Sequence, residues 1–286
     1  MVETNCIKSV FYAAWSLNPD DVLNSSSGGL WYLLGKHFIE NGNYICGAVF
    51  DESFSSLRHV LSNNMSDLEK TRGSKYALSE LGTDLFRDLV KKMQASKILF
   101  SGCPCQINAL EFYLKNKKIN TENLYTCSLV CHGSPSFGFL RNYLDILEKN
   151  VNSKMVSLFF RRKHKQSPYG KIVIGFKNGK EIHEEMLTNE YMLSFLSDKY
   201  LRDCCYNCKF KDINNLKGDV MLGDFWGVWK EYPQFYNPNG TSLLIVNKPK
   251  GEELISLIRN MIFIQQVDRD RSIKYNPMVY QSAKRK

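Results

Sequence analysis

The stretch KILFSGCPCQINALEFYL, residues 97–114, joins a short apolar run to an amphipathic one through a glycine-proline corner. The run ending at Phe100 has the composition of a buried strand, and Ile107, Leu110 and Leu114 recur at helical spacing. The pattern therefore predicts a strand-loop-helix unit. Its loop carries two cysteines one residue apart. Thiols at such a corner are compatible with a disulfide, a redox-active thiol, a zinc site or an iron–sulfur cluster.

The same strand-loop-helix rhythm recurs around this unit. Strands are predicted at 44–52, 57–62 and 124–133. Three helices are predicted as well: one follows the loop at 22–29, one lies within 73–93 and one lies in 134–150. Alternation of this kind predicts an α/β fold with a mainly parallel sheet and flanking helices. Ligands bind at the carboxyl ends of the strands in such sheets. If the strands before Cys103 and Cys131 are neighbours, both cysteines lie on one edge.

Residues 151–286 have a different pattern. Two antiparallel strands are predicted within 156–182 and a helix at 187–201. Strands at 219–229 and 240–247 on either side of a loop, and a helix at 251–262, are predicted after it. The last ~20 residues are basic and are expected to be extended. We expect a smaller mixed α+β lobe that packs on the first and is not an independent domain.

The composition is that of an ordinary globular protein, with 43% hydrophobic and 23% charged residues among 286. No apolar run approaches the roughly 20 residues of a membrane span, and the first residues lack a signal-peptide pattern. We therefore expect a cytoplasmic protein without a membrane span. The net charge of +9 is spread along the chain, with compact basic runs only at 161–165 and 284–286. Anionic small molecules fit this charge better than nucleic acid.

The chain has nine cysteines, which in a cytoplasmic protein argues against a disulfide framework. Cys46 and Cys127 lie inside apolar strand patterns and are interpreted as core residues.

Cys205 and Cys208 form a C-x-x-C unit, a spacing that lets two thiolates bind one metal centre. Such a unit needs two more ligands, and Cys105 and Cys131 are the best donors. Four thiolates suit zinc or a [4Fe–4S] cluster about equally, and ligands from three segments mildly favour the cluster.

Three loops have the composition of binding turns. Residues 25–30, SSSGGL, offer hydroxyl and backbone N–H groups to an anion, or simply cap a helix. Residues 73–76, GSKY, place a lysine in a polar turn that suits phosphate. Residues 223–227, GDFWG, could contact a flavin or form a tight turn with a buried tryptophan.

Taken in order, the motifs resemble the beta-subunit family of coenzyme F420 hydrogenases and dehydrogenases, whose bacterial relatives often accompany polysaccharide-synthesis proteins. The matching stretches span about residues 10–250 and are SSSGGL, CGAVFDE, GSKYALS, GCPCQINAL, LVCHGSPS, FFRRK, CYNCKF, GDFWG and GTSLLIVN. The resemblance implies a flavin, FAD in the best-known members, beside a [4Fe–4S] cluster with which it exchanges electrons. We accordingly expect a flavin-binding lobe at 1–150 and, at 151–286, a lobe that carries the C-x-x-C ligands and the basic tail.

The resemblance also implies roles for individual residues. The cluster ligands are expected to be Cys105, Cys131, Cys205 and Cys208. The expected catalytic residues are Lys75 and His132. Lys75 would neutralise the flavin phosphate or the reduced ring. His132 would move a proton or donate a hydrogen bond to a cluster sulfur. Arg161 and Lys163 are expected to hold an anionic substrate. The expected flavin-binding residues are Ser26, Ser27, Gly28, Gly29, Ser74, Lys75, Gly102, Cys103, Gln106, Asp224 and Trp226.

Two departures from the family pattern affect these expectations. Cys103 stands where the family usually has threonine, so it is expected to line the pocket and not to bind the cluster. Many bacterial relatives begin with a ferredoxin-like segment, and only Cys6 is found there. We therefore expect an external electron donor, such as a ferredoxin or a partner subunit. A homo-oligomer is compatible with the sequence.

The expected substrate is coenzyme F420, or a sugar or sugar substituent in cell-surface polysaccharide synthesis. Two alternatives stay open. One is a zinc-stabilised interaction protein without redox activity. The other is a thiol oxidoreductase that uses Cys103 and Cys105.

Overall fold

The computed structural model describes residues 9–164 and 167–285, so Cys6, Lys165 and Lys286 lie outside the described residues. Two sheets organise the described chain. Their strands are β1 Val10–Ser16, β2 Tyr44–Phe50, β3 Leu57–Ser62, β4 Ile98–Gly102, β5 Leu124–Leu129, β6 Met155–His164, β7 Ser167–Phe176, β8 Glu181–Glu185, β9 Val220–Asp224, β10 Ser242–Val246 and β11 Ile262–Val267.

Helices connect and cover these strands. They are α1 Pro19–Leu23, α2 Leu30–Glu40, α3 Met65–Thr71, α4 Leu85–Met93, α5 Pro104–Asn116, α6 Phe137–Val151, α7 Glu190–Leu196, α8 Asp203–Tyr206, α9 Val228–Glu231, α10 Pro249–Ile258 and α11 Arg269–Ile273. Single 3₁₀ turns lie at Pro233–Phe235, Arg259–Met261 and Pro277–Val279.

The main sheet has eight strands in the order β11-β1-β10-β9-β5-β4-β2-β3. Its centre is parallel, because β2 pairs with β4, β4 with β5 and β5 with β9 in the same direction. Antiparallel strands complete both edges. The predicted α/β class is confirmed. The antiparallel strands at both edges of the sheet were not predicted.

The expected adjacency of two cysteine-bearing strand ends is also confirmed. β4 and β5 are neighbours in register, with Gly102 opposite Ser128. The loops that follow them carry Cys103 and Cys131, so both loops leave the sheet at its carboxyl edge.

Side chains alternate between two apolar cores on the faces of the sheet. On one face, α2 and α10 pack on Leu99 and Cys127. On the other, α4 and α5 pack on Phe100 and Cys46. Burial of both cysteines confirms that they are core residues. The helices on both faces leave the carboxyl edge of the sheet to the connecting loops.

The second sheet is a three-stranded antiparallel unit in the order β6-β7-β8, as the sequence predicted for its first two strands. Its inner face packs against α6 and α7 around Phe160, Ile174 and Tyr191. Strands β9, β10 and β11 do not belong to this unit but complete the main sheet, so both halves of the sequence build that sheet.

Several elements differ from the sequence expectation. The helix expected within 73–93 begins only at Leu85, because Glu80 first pairs with β3: its N–H donates to Leu57 O at 2.9 Å. The helix expected at 187–201 covers only α7, and Asp198 just beyond it has a left-handed φ of 62°. The last ~20 residues contain α11 and the 3₁₀ turn Pro277–Val279 and are not simply extended.

Within the described residues, no helix is both long and apolar enough to cross a membrane.

Candidate functional site

A cavity of about 940 Å³ opens at the carboxyl edge of the parallel strands. This volume lies in the range of small-molecule and cofactor sites, roughly 300–1,000 Å³. The cavity brings together predicted residues from six separate segments. Those that line it are Ser26, Ser27, Gly29, Ser74, Lys75, Gly102, Cys103, Gln106, Cys131, His132, Arg161, Asp224 and Trp226.

The serine-glycine loop forms one wall because β10 holds it in place. Ser27 Oγ donates to Thr241 O at 3.1 Å, and Gly28 N donates to Ser242 Oγ at 2.8 Å. Gly29 then caps α2 with a left-handed φ of 86°. Gly28 itself does not line the cavity but lies behind it, where an added Cβ would stand 2.6 Å from Ala14 O. Its role in this structure is to let the loop approach β1.

The polar turn before Lys75 meets the serine loop. Ser74 Oγ donates to Ser26 Oγ at 2.8 Å, and Lys75 Nζ donates to the backbone oxygen of Arg72 at 2.9 Å. Burial lowers the pKa of Lys75 to about 7. Arg72 adds a second cation, and its buried Nε has no hydrogen-bond partner among the described residues. This end of the cavity is suited to an anionic group.

A buried hydrogen-bond network fixes the corner between β4 and α5. Gln106 Oε1 accepts from Cys103 N at 2.9 Å, and Gln106 Nε2 donates to Ser79 O at 2.8 Å. His59 Nε2 lies 2.7 Å from Ser101 O, and its Nδ1 lies 3.1 Å from Ser79 Oγ. Burial lowers the pKa of His59 to about 4, so the ring is neutral near pH 7. The network therefore orients the start of α5 without a charge.

Cys103 and Cys131 bring their thiols together on the cavity wall. The hydrogen bond from Cys103 lowers the pKa of Cys131 to about 6, and the ammonium of Lys211 acts in the same direction. The same hydrogen bond raises the pKa of Cys103. Lys211 is held beside them by the backbone oxygens of Cys131 and Met278. Cys131 is therefore the more readily ionised thiol of the pair.

The C-x-x-C residues approach the same place from α8. Cys205 Sγ lies 3.9 Å from Ser134 O, next to the loop of Cys131. Burial and, to a smaller extent, the neighbouring Cys131, Cys208 and Cys205 raise the pKa of Cys105 to about 11, so these thiols lie within electrostatic range of one another. We call Cys103, Cys105, Cys131, Cys205 and Cys208 the cysteine group. In the part of the chain that the structure describes, no three His, Cys, Asp or Glu side chains are gathered closely enough to hold a metal ion.

His132 lines the cavity directly after Cys131. Its Nε2 lies 2.6 Å from Asp198 Oδ1, and its ring centroid lies 4.9 Å from that of Phe195. The carboxylate and the ring fix the orientation of the imidazole, as a proton-transfer group requires.

The two predicted substrate-binding cations differ in position. Arg161 is only 5% exposed, forms an ion pair with Asp224 and lies 5.8 Å from the ring of Trp226 on the cavity wall. Lys163 lies outside the lining, because its Nζ donates to Val22 O at 3.0 Å and to Ser27 O at 2.6 Å. In this structure Lys163 supports the serine loop.

The cavity also has walls that sequence reasoning missed. His59 and Tyr76 come from the β3 side, and Tyr275 and Met278 from the C-terminal segment. Tyr76 lies in the GSKY turn, where only the neighbouring Ser74 and Lys75 were predicted to bind. His59, Tyr275 and Met278 lie in no motif and reach the cavity only through the fold. Among the missed residues, Arg72 was the easiest to predict from the sequence, because it directly precedes the GSKY turn.

Comparison with known proteins places the chain among the components of redox enzymes. Residues 95–271 match the family described as the C terminus of the coenzyme F420 hydrogenase/dehydrogenase beta subunit. The chain is 25% identical to the coenzyme F420-dependent sulfite reductase of Methanocaldococcus jannaschii over 94% of its own length and 40% of the relative. It thus spans about two fifths of that curated relative.

A solved structure, the xenon-derivatised F420-reducing [NiFe] hydrogenase complex of Methanosarcina barkeri, contains a chain of similar fold. The TM-score is 0.63 at 17% identity, over 98% of this chain and 90% of the other. This likeness concerns the fold alone.

Proposed function

The chain belongs to the coenzyme F420 hydrogenase/dehydrogenase beta-subunit family, and we propose from this premise that it is an iron–sulfur flavoprotein oxidoreductase. The observation that carries the proposal is that the cysteine group adjoins one large cavity with a cationic end. A flavin supplies hydride chemistry and a [4Fe–4S] cluster supplies single electrons when both are bound.

The cavity fits a flavin, with FAD as the expected form. Its volume of about 940 Å³ suits a large cofactor. Lys75 has lost much of its hydration and lies by the hydroxyls of Ser26 and Ser74, so an anion bound there would favour its charged form. These three residues would hold a flavin phosphate. Gly102 and Gln106 would form the wall beside the ring.

The cysteine group fits a cluster better than a single ion. Four thiolates on a cubane bind four different irons, so they stand farther apart than ligands around one ion. Thiols that interact electrostatically without converging on one point agree with that spacing. Cys105, Cys131, Cys205 and Cys208 would be the ligands, and Cys103 would contact Cys131 from the flavin side.

The remaining cavity residues have roles in binding and proton transfer. His132 is held through Nε2 by Asp198, so Nδ1 is the atom that would exchange a proton with the substrate or cofactor. Arg161, fixed by Asp224, would attract an anionic substrate, and Trp226 offers an aromatic face beside it.

The proposed substrate is coenzyme F420 or a sugar or sugar substituent of cell-surface polysaccharide synthesis. The electron donor is an external protein.

Anaerobic purification tests the proposal. We expect brown protein with a flavin spectrum, released flavin of FAD mass and about four irons per chain. Colourless protein with bound zinc would instead support the interaction protein. Colourless, metal-free protein with an oxidisable thiol pair would support the thiol oxidoreductase.

Single Cys→Ala substitutions test the ligands. We expect Cys105→Ala, Cys131→Ala, Cys205→Ala and Cys208→Ala each to remove most of the iron. Cys103→Ala and the buried control Cys127→Ala should retain it, because neither thiol is a proposed ligand. Iron and flavin content per chain are the measurements. Iron loss in Cys103→Ala with retention in Cys105→Ala would show that the ligand assignment is wrong.

A further inference from the structure

The cysteine group reaches both the cavity and the protein surface. Cys103 and Cys131 line the cavity, whereas Cys105, Cys205 and Cys208 do not. These three are half-buried, and the neighbouring Cys204 is exposed. Electrons delivered at this surface would therefore not have to enter through the cavity.

Several exposed cations lie in the segments that carry or contact these cysteines. We call them the basic surface, and they are Lys199, Arg202, Lys209, Lys284 and Arg285. The charge of Arg202 reaches the Cys105 thiol. The C-terminal segment lies against the C-x-x-C segment, because Cys208 N donates to Ser282 Oγ at 3.0 Å and Arg285 stacks 4.8 Å from the ring of Tyr206. The basic tail of the sequence thus belongs to one patch with the proposed ligands.

The excess of positive charge is largely uncompensated. Residues 199–212 and 282–285 carry six basic side chains against two acidic ones, Asp203 and Asp212. Arg285 forms an ion pair with Asp203. Across residues 9–164 and 167–285, no ion pair engages Lys199, Arg202, Lys209 or Lys284. Such a patch attracts an acidic partner.

Apolar side chains lie next to the cations. Tyr200 is 53% exposed and Leu193 is 46% exposed. Tyr200 stacks on Phe139 at 4.7 Å, which fixes its ring in place. An aromatic anchor beside a charged rim is the usual composition of a protein–protein contact.

We propose that the basic surface docks a small acidic one-electron carrier protein beside the cysteine group, an inference that rests on the proposed function. In the exchange the carrier is oxidised by one electron and this protein is reduced by one. No bond forms or breaks. An acidic protein is favoured over nucleic acid or a membrane because the basic surface adjoins the cysteine group and has the exposed ring of Tyr200 beside it.

Anaerobic stopped-flow reduction by a reduced, acidic two-[4Fe–4S] ferredoxin tests the docking. We expect the second-order rate constant to fall at least tenfold when NaCl rises from about 25 to about 400 mM, because salt screens the attraction. The double variant Lys209→Glu/Lys284→Glu should lower the rate at low salt by at least tenfold. Its iron, flavin and dithionite-reducible cofactor content should equal that of the wild type.

The matched control is Lys115→Glu/Lys117→Glu, an equal charge reversal at two exposed lysines. These lie at the far end of α5, about 15–18 Å along the helix from Cys105, and should not change the rate. A rate that does not depend on salt, or equal rates for the two double variants, would overturn the docking. So would a Lys209→Glu/Lys284→Glu variant that loses binding to RNA or anionic vesicles but keeps the wild-type rate with the ferredoxin. In each of these cases fully reducible cofactor would still support the proposed function. Protein that lacks iron and flavin would overturn both.

Discussion

The amine of Lys75 lies buried at the cavity and has lost much of its hydration. Its polar contacts are backbone oxygens, so no carboxylate among those contacts offsets the loss of water. Burial therefore lowers its pKa from 10.5 to about 7. An amine of this kind is half-charged near neutral pH and becomes fully charged when an anion binds.

This lowered pKa predicts a pH dependence of stability in cofactor-free protein. Between pH 7 and about 10.4 the unfolded state binds more protons at Lys75 than the folded state, so stability rises with pH in that window. We expect the urea midpoint of the wild type to rise relative to Lys75→Met as pH rises through this window. Urea titrations of both proteins at several pH values measure the difference. Parallel curves would contradict the assigned burial, and Lys163 cannot mimic the effect because both proteins contain it.

At the scale of elements, the wall formed by the serine loop depends on one glycine. A Cβ on Gly28 would meet backbone atoms of β1, Ala14 O at 2.6 Å and Trp15 Cα at 2.9 Å, and backbone cannot move as a side chain can. We expect Gly28→Ala to lower the free energy of unfolding by about 1–3 kcal/mol and to weaken flavin retention. Urea unfolding and flavin content measure these two effects.

The matched control for Gly28 is Gly138 in α6. Its nearest heavy atom to an added Cβ is Ser136 Oγ at 3.9 Å, so a methyl group fits there. Gly138→Ala should change stability by less than about 1 kcal/mol, toward higher stability, because alanine favours the helix. Equal losses in both variants would show that the close approach of the serine loop is unimportant.

The sequence predicted the elements whose apolar period was clear and missed those where it was not. β4 and α5 were predicted because a glycine-proline corner separates a short apolar run from helical spacing. β11 was missed because it follows α10 through Arg259–Met261 without glycine or proline, so the apolar pattern continues unbroken. α4 lies within the segment 73–93 that was predicted to open with a polar turn and become a helix, and it begins only at Leu85 because Glu80 pairs with β3.

For the site, the loops with motifs were predicted to be binding turns, and most of their residues do line one cavity. Tyr275 was missed because only the fold brings it there, whereas Tyr76 lies in the predicted GSKY turn and only its side chain was overlooked. The placement of Lys163 behind the serine loop also depends on contacts between β6 and distant segments. Spacing along the chain contains no information on such contacts.

At the scale of the whole molecule, the main sheet needs both ends of the chain. β5 lies between β4 and β9, and β1 lies between β10 and β11. Asp219, before β9, accepts from Thr126 N at 2.7 Å in the centre of the sheet. The two halves of the sequence are therefore joined by buried backbone pairing and not by a surface contact.

This pairing predicts that the first half does not fold alone. A fragment of residues 1–151 lacks the neighbours of β1 and one neighbour of β5, so their polar backbone groups and apolar faces are uncovered. We expect no near-ultraviolet circular dichroism and no cooperative urea transition, whereas the full chain should unfold in one transition. A cooperative transition in the fragment would contradict this interpretation.

The position of β1 also affects how the protein is made. The partners of this strand, β10 and β11, are translated more than 200 residues after it. The apolar segment VFYAAWS must stay unpaired until those partners have been made. Contacts so distant along the chain slow folding and leave nascent chains prone to aggregation. Production of this protein in a foreign host should therefore depend on chaperone supply and slow translation.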